Sequence, residues 1–240
     1  MPKYLEIEKV LRSRIQKGIY PPGAILPKQE QLAKEFHTSR ITIRKALDYL
    51  IKMGLIYTQR GAGTFVRSNA QETSQVNTDI NQYVGTTELL GQNHQIESRI
   101  INFEIRYATG SEQESLSLIN HDLVYDIKRL RIVDNFPHAL EYTIMPVKVI
   151  PGIDESILQK SIYSYIEDHL NQKIGPAFRK VSAAKPSADD QLYLKCAMDD
   201  PILKMEQIVS LENNVPFELS ETHHRYDHEK ILVYLPGNGR

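Results

Sequence analysis

With 240 residues, 41% hydrophobic and 25% charged, the chain has the composition of an ordinary globular protein and room for two domains. No apolar run approaches the ~20 residues that span a bilayer, and no apolar signal core follows Met1, which argues against membrane residence and export and for a cytoplasmic location. The single Cys196 excludes an internal disulfide and a thiolate metal cluster, and reads as a small buried apolar residue.

The net charge of −1 hides an asymmetry. Residues 1–69 hold 13 Lys and Arg against 5 Asp and Glu, a net of +8, and the remainder hold 16 against 25, a net of −9. A basic head attracts polyanions that an acidic body repels, so nucleic acid is the expected partner of the first 69 residues.

Tyr4, Leu5, Ile7, Val10, Leu11 and Ile15 recur at helical spacing and stop at Lys17-Gly18, before a turn enforced by Pro21-Pro22-Gly23. A short second helix is predicted from about Lys28 to Phe36. His37-Thr38-Ser39 connect it to a third, from Arg40 to Met53, with Ile43, Leu47, Leu50 and Ile51 inward and Gly54 as its stop. Two short helices so joined form a helix-turn-helix, whose second helix enters the major groove of double-stranded DNA. Arg40, Thr42, Arg44, Lys45 and Tyr49 then face the groove, Arg40 and Arg44 being i, i+4 neighbours, and Ser39 caps the helix. An arginine at such a place can chelate guanine through two acceptors. Two β-prone runs, 55–58 and 63–66, flank Gln59-Arg60-Gly61-Ala62, which predicts a hairpin with a basic tip that approaches phosphates or the minor groove.

Residues 1–67 resemble the winged helix of the GntR superfamily of bacterial regulators. The likeness lies in Leu26-Pro27, Gln31-Leu32-Ala33, Ser39-Arg40-Ile41-Thr42-Ile43-Arg44-Lys45-Ala46-Leu47, Gly54-Leu55-Ile56 and Arg60-Gly61-Ala62-Gly63-Thr64-Phe65-Val66. The resemblance implies DNA contacts from these segments, including Arg60, Gly61, Gly63 and Thr64 of the wing. Many members carry Ser-Glu-Arg after Leu-Pro, where this chain has Lys28-Gln29-Glu30; Lys28 can still hold a phosphate, whereas Glu30 cannot replace the arginine, so a different operator is expected.

Residues 68–78 are polar and read as a linker, leaving 79–240 as a second, α+β domain. Helical stretches are predicted near 111–119, 161–170 and 187–198, with capping boxes at Ser111-Glu112-Gln113-Glu114 and Ser187-Ala188-Asp189-Asp190. After each of the boxed helices come a strand, a turn with Asn and a second strand: 124–133, Asn135-Phe136-Pro137, 139–144, then 202–211, Asn214-Val215-Pro216, 217–222. Pro137 and Pro216 are 79 residues apart. Two helix-plus-hairpin units around a shared sheet, with a pocket at their seam, are expected; chance similarity of two hairpins is the alternative.

Strand alternation puts Arg129 and Arg131 on one face and Leu130 and Ile132 on the other. Two guanidinium groups at i, i+2 repel unless an anion, or the protein's own Glu141 and Glu218, joins them; a solvated sheet face is the equal alternative.

This half is similar to the effector-binding domain of the HutC subfamily, called UTRA, through Lys128-Arg129-Leu130-Arg131, Asn135-Phe136-Pro137 with Glu141, Ser161-Ile162-Tyr163, and Asn214-Val215-Pro216-Phe217-Glu218 with Arg225 and Asp227. The resemblance implies a chorismate lyase-like antiparallel sheet with helices. On it, Arg129 and Arg131 hold a small anionic or sugar-type effector such as a sugar phosphate, and Glu141 binds its hydroxyl or amine. Tyr83, Ser161, Tyr163, Glu218 and His224 line the pocket. Two departures bear on it: Asn81-Gln82-Tyr83-Val84-Gly85-Thr86-Thr87 replaces the loop of members that bind sugar phosphates, and His224 stands where a tyrosine is usual. His223, His224 and His228 with Glu221 and Asp227 also admit a zinc reading, which crowded surface histidines outweigh.

The resulting expectation is a homodimeric, effector-controlled repressor that needs no cofactor. A lyase-like enzyme fused to a DNA-binding head and a purely dimerising C-terminal domain are the alternatives; the chain is too short to add a pyridoxal-phosphate domain and shows no phosphate-binding glycine loop.

Overall fold

The computed structural model describes residues 2–70, 78–79, 94–227 and 231–232. These fall into two compact units, 2–70 with 78–79 and 231–232 in one and 94–227 in the other.

In the first unit, α1 (Lys3–Gln16), α2 (Gln29–Glu35) and α3 (Arg40–Lys52) precede an antiparallel hairpin of β1 (Ile56–Gln59) and β2 (Gly63–Val66). Ile7, Leu11 and Ile15 of α1 meet Leu32, Ile43, Leu47 and Leu50 in one core, which Leu26, Leu55, Ile56 and Val66 close. The stops anticipated at Gly18 and Gly54 both occur. Gly54 has φ 72°, its N–H donates to the Ile51 carbonyl at 2.9 Å and the Leu55 N–H to the Leu50 carbonyl at 3.0 Å, so α3 ends in a Schellman motif. His37, at φ 48°, makes the same left-handed stop after α2, a conformation that costs more for a residue with a Cβ than for glycine. Beyond the hairpin, the short β3 (Thr78–Asp79) pairs in parallel with Ile231–Leu232.

The second unit is a six-stranded antiparallel sheet with helices on both faces. Its elements are β4 (Ile96–Tyr107), α4 (Gly110–Leu116), β5 (Leu123–Val133), β6 (Phe136–Pro146), α5 (Glu155–Leu158), α6 (Ile162–Ser164) running into a π-helical turn (Tyr165–His169), β7 (Ile174–Ala184), α7 (Ala188–Tyr193), β8 (Ile202–Leu211) and β9 (Pro216–Arg225). The strand order β4-β5-β6-β9-β8-β7 is symmetric: strand, helix and hairpin occur twice, and the two halves join where β6 pairs with β9. The two-unit arrangement expected from the repeated hairpins is thus present. Tyr125, Ile127, Met145 and Val209 pack beneath Ile150, Ile153, Leu158, Ile162 and Ile166 on one face. Leu130, Ile132, Leu140 and Ile202 meet Leu194 and the buried Cys196 on the other.

Local signals placed two helices imperfectly. The capping box at Ser187 is present, its hydroxyl accepting from the Asp190 N–H at 3.1 Å, but α7 ends at Tyr193, short of the expected 198. The box expected at Ser111 starts instead at Thr109, whose N–H donates to Glu112 at 2.8 Å. Glu112 is taken because Arg106 of β4 grips both of its oxygens, at 2.7 and 2.8 Å.

Candidate functional site

The first candidate surface is the open side of α3. Ser39 caps the helix as expected, its hydroxyl accepting from the Thr42 N–H at 3.2 Å and meeting the Thr42 hydroxyl at 2.9 Å. Arg40, Arg44 and Lys45 are exposed on one stripe with Ile41 and Asp48. Tyr49 lies on the flank toward α1, its ring 5.5 Å from that of Tyr4, and a hydrogen bond with Tyr4 raises its pKa. The Lys45 ammonium stands 5.8 Å over the Tyr4 ring. The arrangement therefore leaves Arg40 and Arg44 as the cations at the free N-terminal end, with Thr42 and Tyr49 tied to the scaffold.

Arg40 is not bare. It donates to Glu30 of α2 at 2.9 Å, with both side chains 64% exposed. Lys28, just before α2, is exposed, its backbone N–H donating to the Gln31 side chain at 2.9 Å. At the wing, Arg60 and Gly61 are exposed at the tip, and Gly61 has φ 79°. Gly63, at φ 131°, lies where a Cβ would stand 2.8 Å from Ile25 Cδ1, so glycine there seats the wing on Ile25. The Thr64 hydroxyl meets Thr58 across the hairpin at 3.2 Å.

The second candidate site lies on the sheet face beneath α5 and α6. Arg129 and Arg131 are 6% and 2% exposed, so the solvated-face alternative is excluded. Arg129 donates to Glu141 Oε2 at 2.7 Å and to the Leu158 carbonyl at 2.9 Å, while Arg131 Nε stands 3.9 Å from the other Glu141 oxygen. One carboxylate thus lies between two guanidinium groups. Burial acts to raise the Glu141 pKa, but the charges of Arg129 and Arg131 outweigh it and hold the group below the ordinary carboxylate range. Burial and the neighbouring Arg129 push Arg131 the other way, below its usual value.

Glu218 on β9 was a possible partner for these arginines, but it is engaged otherwise. Its Oε2 accepts from the Tyr163 hydroxyl at 2.8 Å, and its Oε1 from Ser220 at 2.6 Å and Gln207 at 3.0 Å. Burial, helped by the nearby Glu141 charge, raises its pKa despite these donors. His224, cross-strand from Ala139, is buried with its ring 5.5 Å from that of His138. The Ser161 hydroxyl is occupied as the cap of α6, accepting from the Ser164 N–H at 3.1 Å. Tyr83 and the 81–87 loop lie outside the described residues. Gln207, Ser220 and His138 were missed; Ser220 could have been found, since it lies two residues from Glu218 on the same strand face.

The zinc reading does not fit. His223 and His224 project to opposite faces of β9, and His223 is held by Asp190 at 2.8 Å and Glu221 at 2.7 Å. Among the described residues no three potential ligands converge; His228 lies outside them.

A helix-turn-helix with a wing, carried on a chain whose other unit is an antiparallel sheet domain that buries paired arginines and carboxylates, has the make-up of a two-domain transcription regulator. Residues 3–66 match the bacterial regulatory proteins, gntR family, and 91–230 match the UTRA domain. The chain is 40% identical over 233 residues to the HTH-type transcriptional regulator GmuR of Bacillus subtilis, covering 97% of each. It is 29% identical to the mannosyl-D-glycerate transport/metabolism system repressor MngR of Escherichia coli, covering 97% of this chain and 95% of the other. The crystal structure of YydK, a possible regulator of Bacillus subtilis, aligns at a TM-score of 0.77 with 25% identity, covering 98% of this chain and all of the other. The chain belongs to the GntR family, in its HutC or UTRA-type arrangement, and is a DNA-binding transcription regulator rather than an enzyme. No helix of the described residues is long and apolar enough to cross a membrane.

Proposed function

We propose that the chain is a cytoplasmic, homodimeric repressor whose operator affinity is set by a small anionic or sugar-type effector, a sugar phosphate being the leading class. Residues 1–67 form the DNA-binding domain, 68–78 lead from it, and the effector domain is carried by the sheet of 94–227; 79 and 231–232, expected in the effector domain, pair in the unit of the head. Two copies of α3 occupy half-sites about one helical turn apart in a palindrome, with Arg40 and Arg44 at base edges and Lys28, Lys45 and the Arg60-Gly61-Ala62-Gly63-Thr64 wing on the backbone.

The observation that carries the effector reading is the charge balance around Glu141. Two buried arginines flank this one carboxylate, Arg129 at 2.7 Å and Arg131 at 3.9 Å, while Glu218 is held by Tyr163, Ser220 and Gln207, and two guanidinium groups around a single carboxylate favour an added anion. Arg129 is held by Glu141 and the Leu158 carbonyl, and paired guanidinium groups suit bidentate recognition of phosphate or carboxylate. The likeness to MngR, the repressor of a mannosyl-D-glycerate transport/metabolism system, favours a sugar-linked anion. An effector that prefers one arrangement of the heads by about 1–3 kcal/mol changes DNA affinity five- to 150-fold.

A thermal-shift screen of the full chain against sugar phosphates, sugar acids and the matching neutral sugars tests this. An effector at a hundredfold its Kd adds about 2.7 kcal/mol of stability, a clear rise in Tm. A chain indifferent to every anion has a domain that dimerises but does not sense.

A further inference from the structure

We infer that Ile41 is a specificity-determining residue, reading the 5-methyl group of a thymine in each operator half-site. In the structure it is the second residue of α3, with its side chain 63% exposed, whereas the helix's other large aliphatic side chains, Ile43, Leu47, Leu50 and Ile51, turn into the core or pack against it. A β-branched apolar side chain on the outside of a helix gains nothing from packing and loses rotamer freedom there.

Its neighbours indicate what covers it. Ile41 lies about 60° round the helix from Arg44 and about 40° from Lys45, so it shares their exposed stripe. It stands at the N-terminal end, where recognition helices approach base edges. The one apolar feature that a base pair offers in the major groove is the thymine methyl; guanine, cytosine and adenine edges present only donors and acceptors. Arg44 and Arg40 can satisfy guanine acceptors, and a guanidinium beside a methyl group gains nothing from it. An isoleucine beside them, between Arg44 and Lys45 on the exposed stripe, adds the missing letter. Ser39 and Thr42, the other small side chains at this end, bond to each other and to the cap rather than reaching outward.

The inference rests on α3 being the helix in the groove, so the experiment carries an arm for each. The probe is the duplex that the full chain recovers from a random-sequence library, with each thymine exchanged in turn for uracil, which keeps pairing and removes only the methyl. The parent should lose about fourfold per half-site at one thymine, the size of one buried methyl, and little at the others. Ile41→Ala should bind the thymine duplex as weakly as the parent binds the uracil one, and should lose nothing further on the exchange. Ile41→Val, which keeps a branched contact, should retain most of the penalty. Ile41 lies outside the core, and an unchanged Tm for each variant shows that folding is intact. A parent indifferent to every exchange, or an Ile41→Ala that keeps the full uracil penalty, overturns the inference. Arg44→Ala separates the two readings: if it too leaves affinity unchanged, α3 is not the reader, whereas if it weakens binding while uracil does not, only the role of Ile41 falls.

Discussion

Arg40 donates to Glu30 at 2.9 Å, so the first cation of the proposed recognition helix is held by a carboxylate from the preceding helix. The acid that makes Lys28-Gln29-Glu30 unlike the common family pattern therefore has a definite local effect: it neutralises a group that DNA would otherwise attract. An exposed pair of this kind is worth about 0–1 kcal/mol, small enough for a phosphate or guanine to compete. Glu30→Gln should raise operator affinity roughly two- to fivefold in an anisotropy titration at fixed salt, and steepen its salt dependence. Weaker binding by the variant would mean that Glu30 positions Arg40 rather than restraining it.

Among the described residues no carboxylate restrains Arg44, which is exposed on the same helix. Arg44→Ala should cost about 1–3 kcal/mol of operator binding if it makes a bidentate base contact, and relax selectivity at one base pair. Tyr49→Phe, by contrast, removes the hydroxyl bonded to Tyr4, and should lower the stability of the head by about 1 kcal/mol while leaving DNA affinity within twofold. Thermal melts and titrations of the two variants together distinguish a groove-facing tyrosine from a scaffold one.

Glu218 ties effector binding to pH. Its pKa is raised in the folded chain, chiefly by burial, so the native state holds a proton that the unfolded chain releases sooner. Stability therefore falls as pH climbs from the ordinary carboxylate value to the raised one, and is flat beyond it. Ionisation also adds a negative charge near Glu141, so an anionic effector should bind more weakly over that interval. Glu218→Gln should abolish both trends, which chemical denaturation and calorimetric titration across the pH range would show.

The start of α4 offers a test confined to stability. Glu112 serves both Arg106 and the Thr109 N–H and is 8% exposed, whereas Glu114, the acid of the box expected from sequence, is exposed and serves neither of them. Glu112→Ala should cost about 2 kcal/mol or more, and Glu114→Ala less than about 0.5 kcal/mol.

These cases also mark what was legible in the sequence. The head was, because its signals are local: helical spacing, the Ser39 cap and the stops at Gly18 and Gly54 each act within a turn of chain. Alternation on β5 was legible too, since period two alone puts Arg129 and Arg131 on one face, and the Pro137 and Pro216 hairpins announced the β6 and β9 seam. What escaped depends on register between distant segments. Glu30 meets Arg40 across a turn, Gln207 meets Glu218 across the β8 and β9 ladder, and the Leu158 carbonyl reaches Arg129 from a loop-borne helix. The Thr109 cap was missed for the same reason. Thr109 to Glu112 and Ser111 to Glu114 fit one template equally well, and the choice is made by Arg106 on the neighbouring strand.

Effector control through the buried arginines is tested most directly by anisotropy of a labelled operator duplex, at fixed salt, with and without sugar phosphates. In the parent, the active compound should weaken binding five- to 150-fold. Arg129→Ala, folded by its melting transition, should bind the duplex within twofold of the parent and fail to respond, with Arg129→Lys between the two. A parent whose operator affinity no sugar phosphate or related anion alters, or an Arg129→Ala that responds as the parent does, would contradict it.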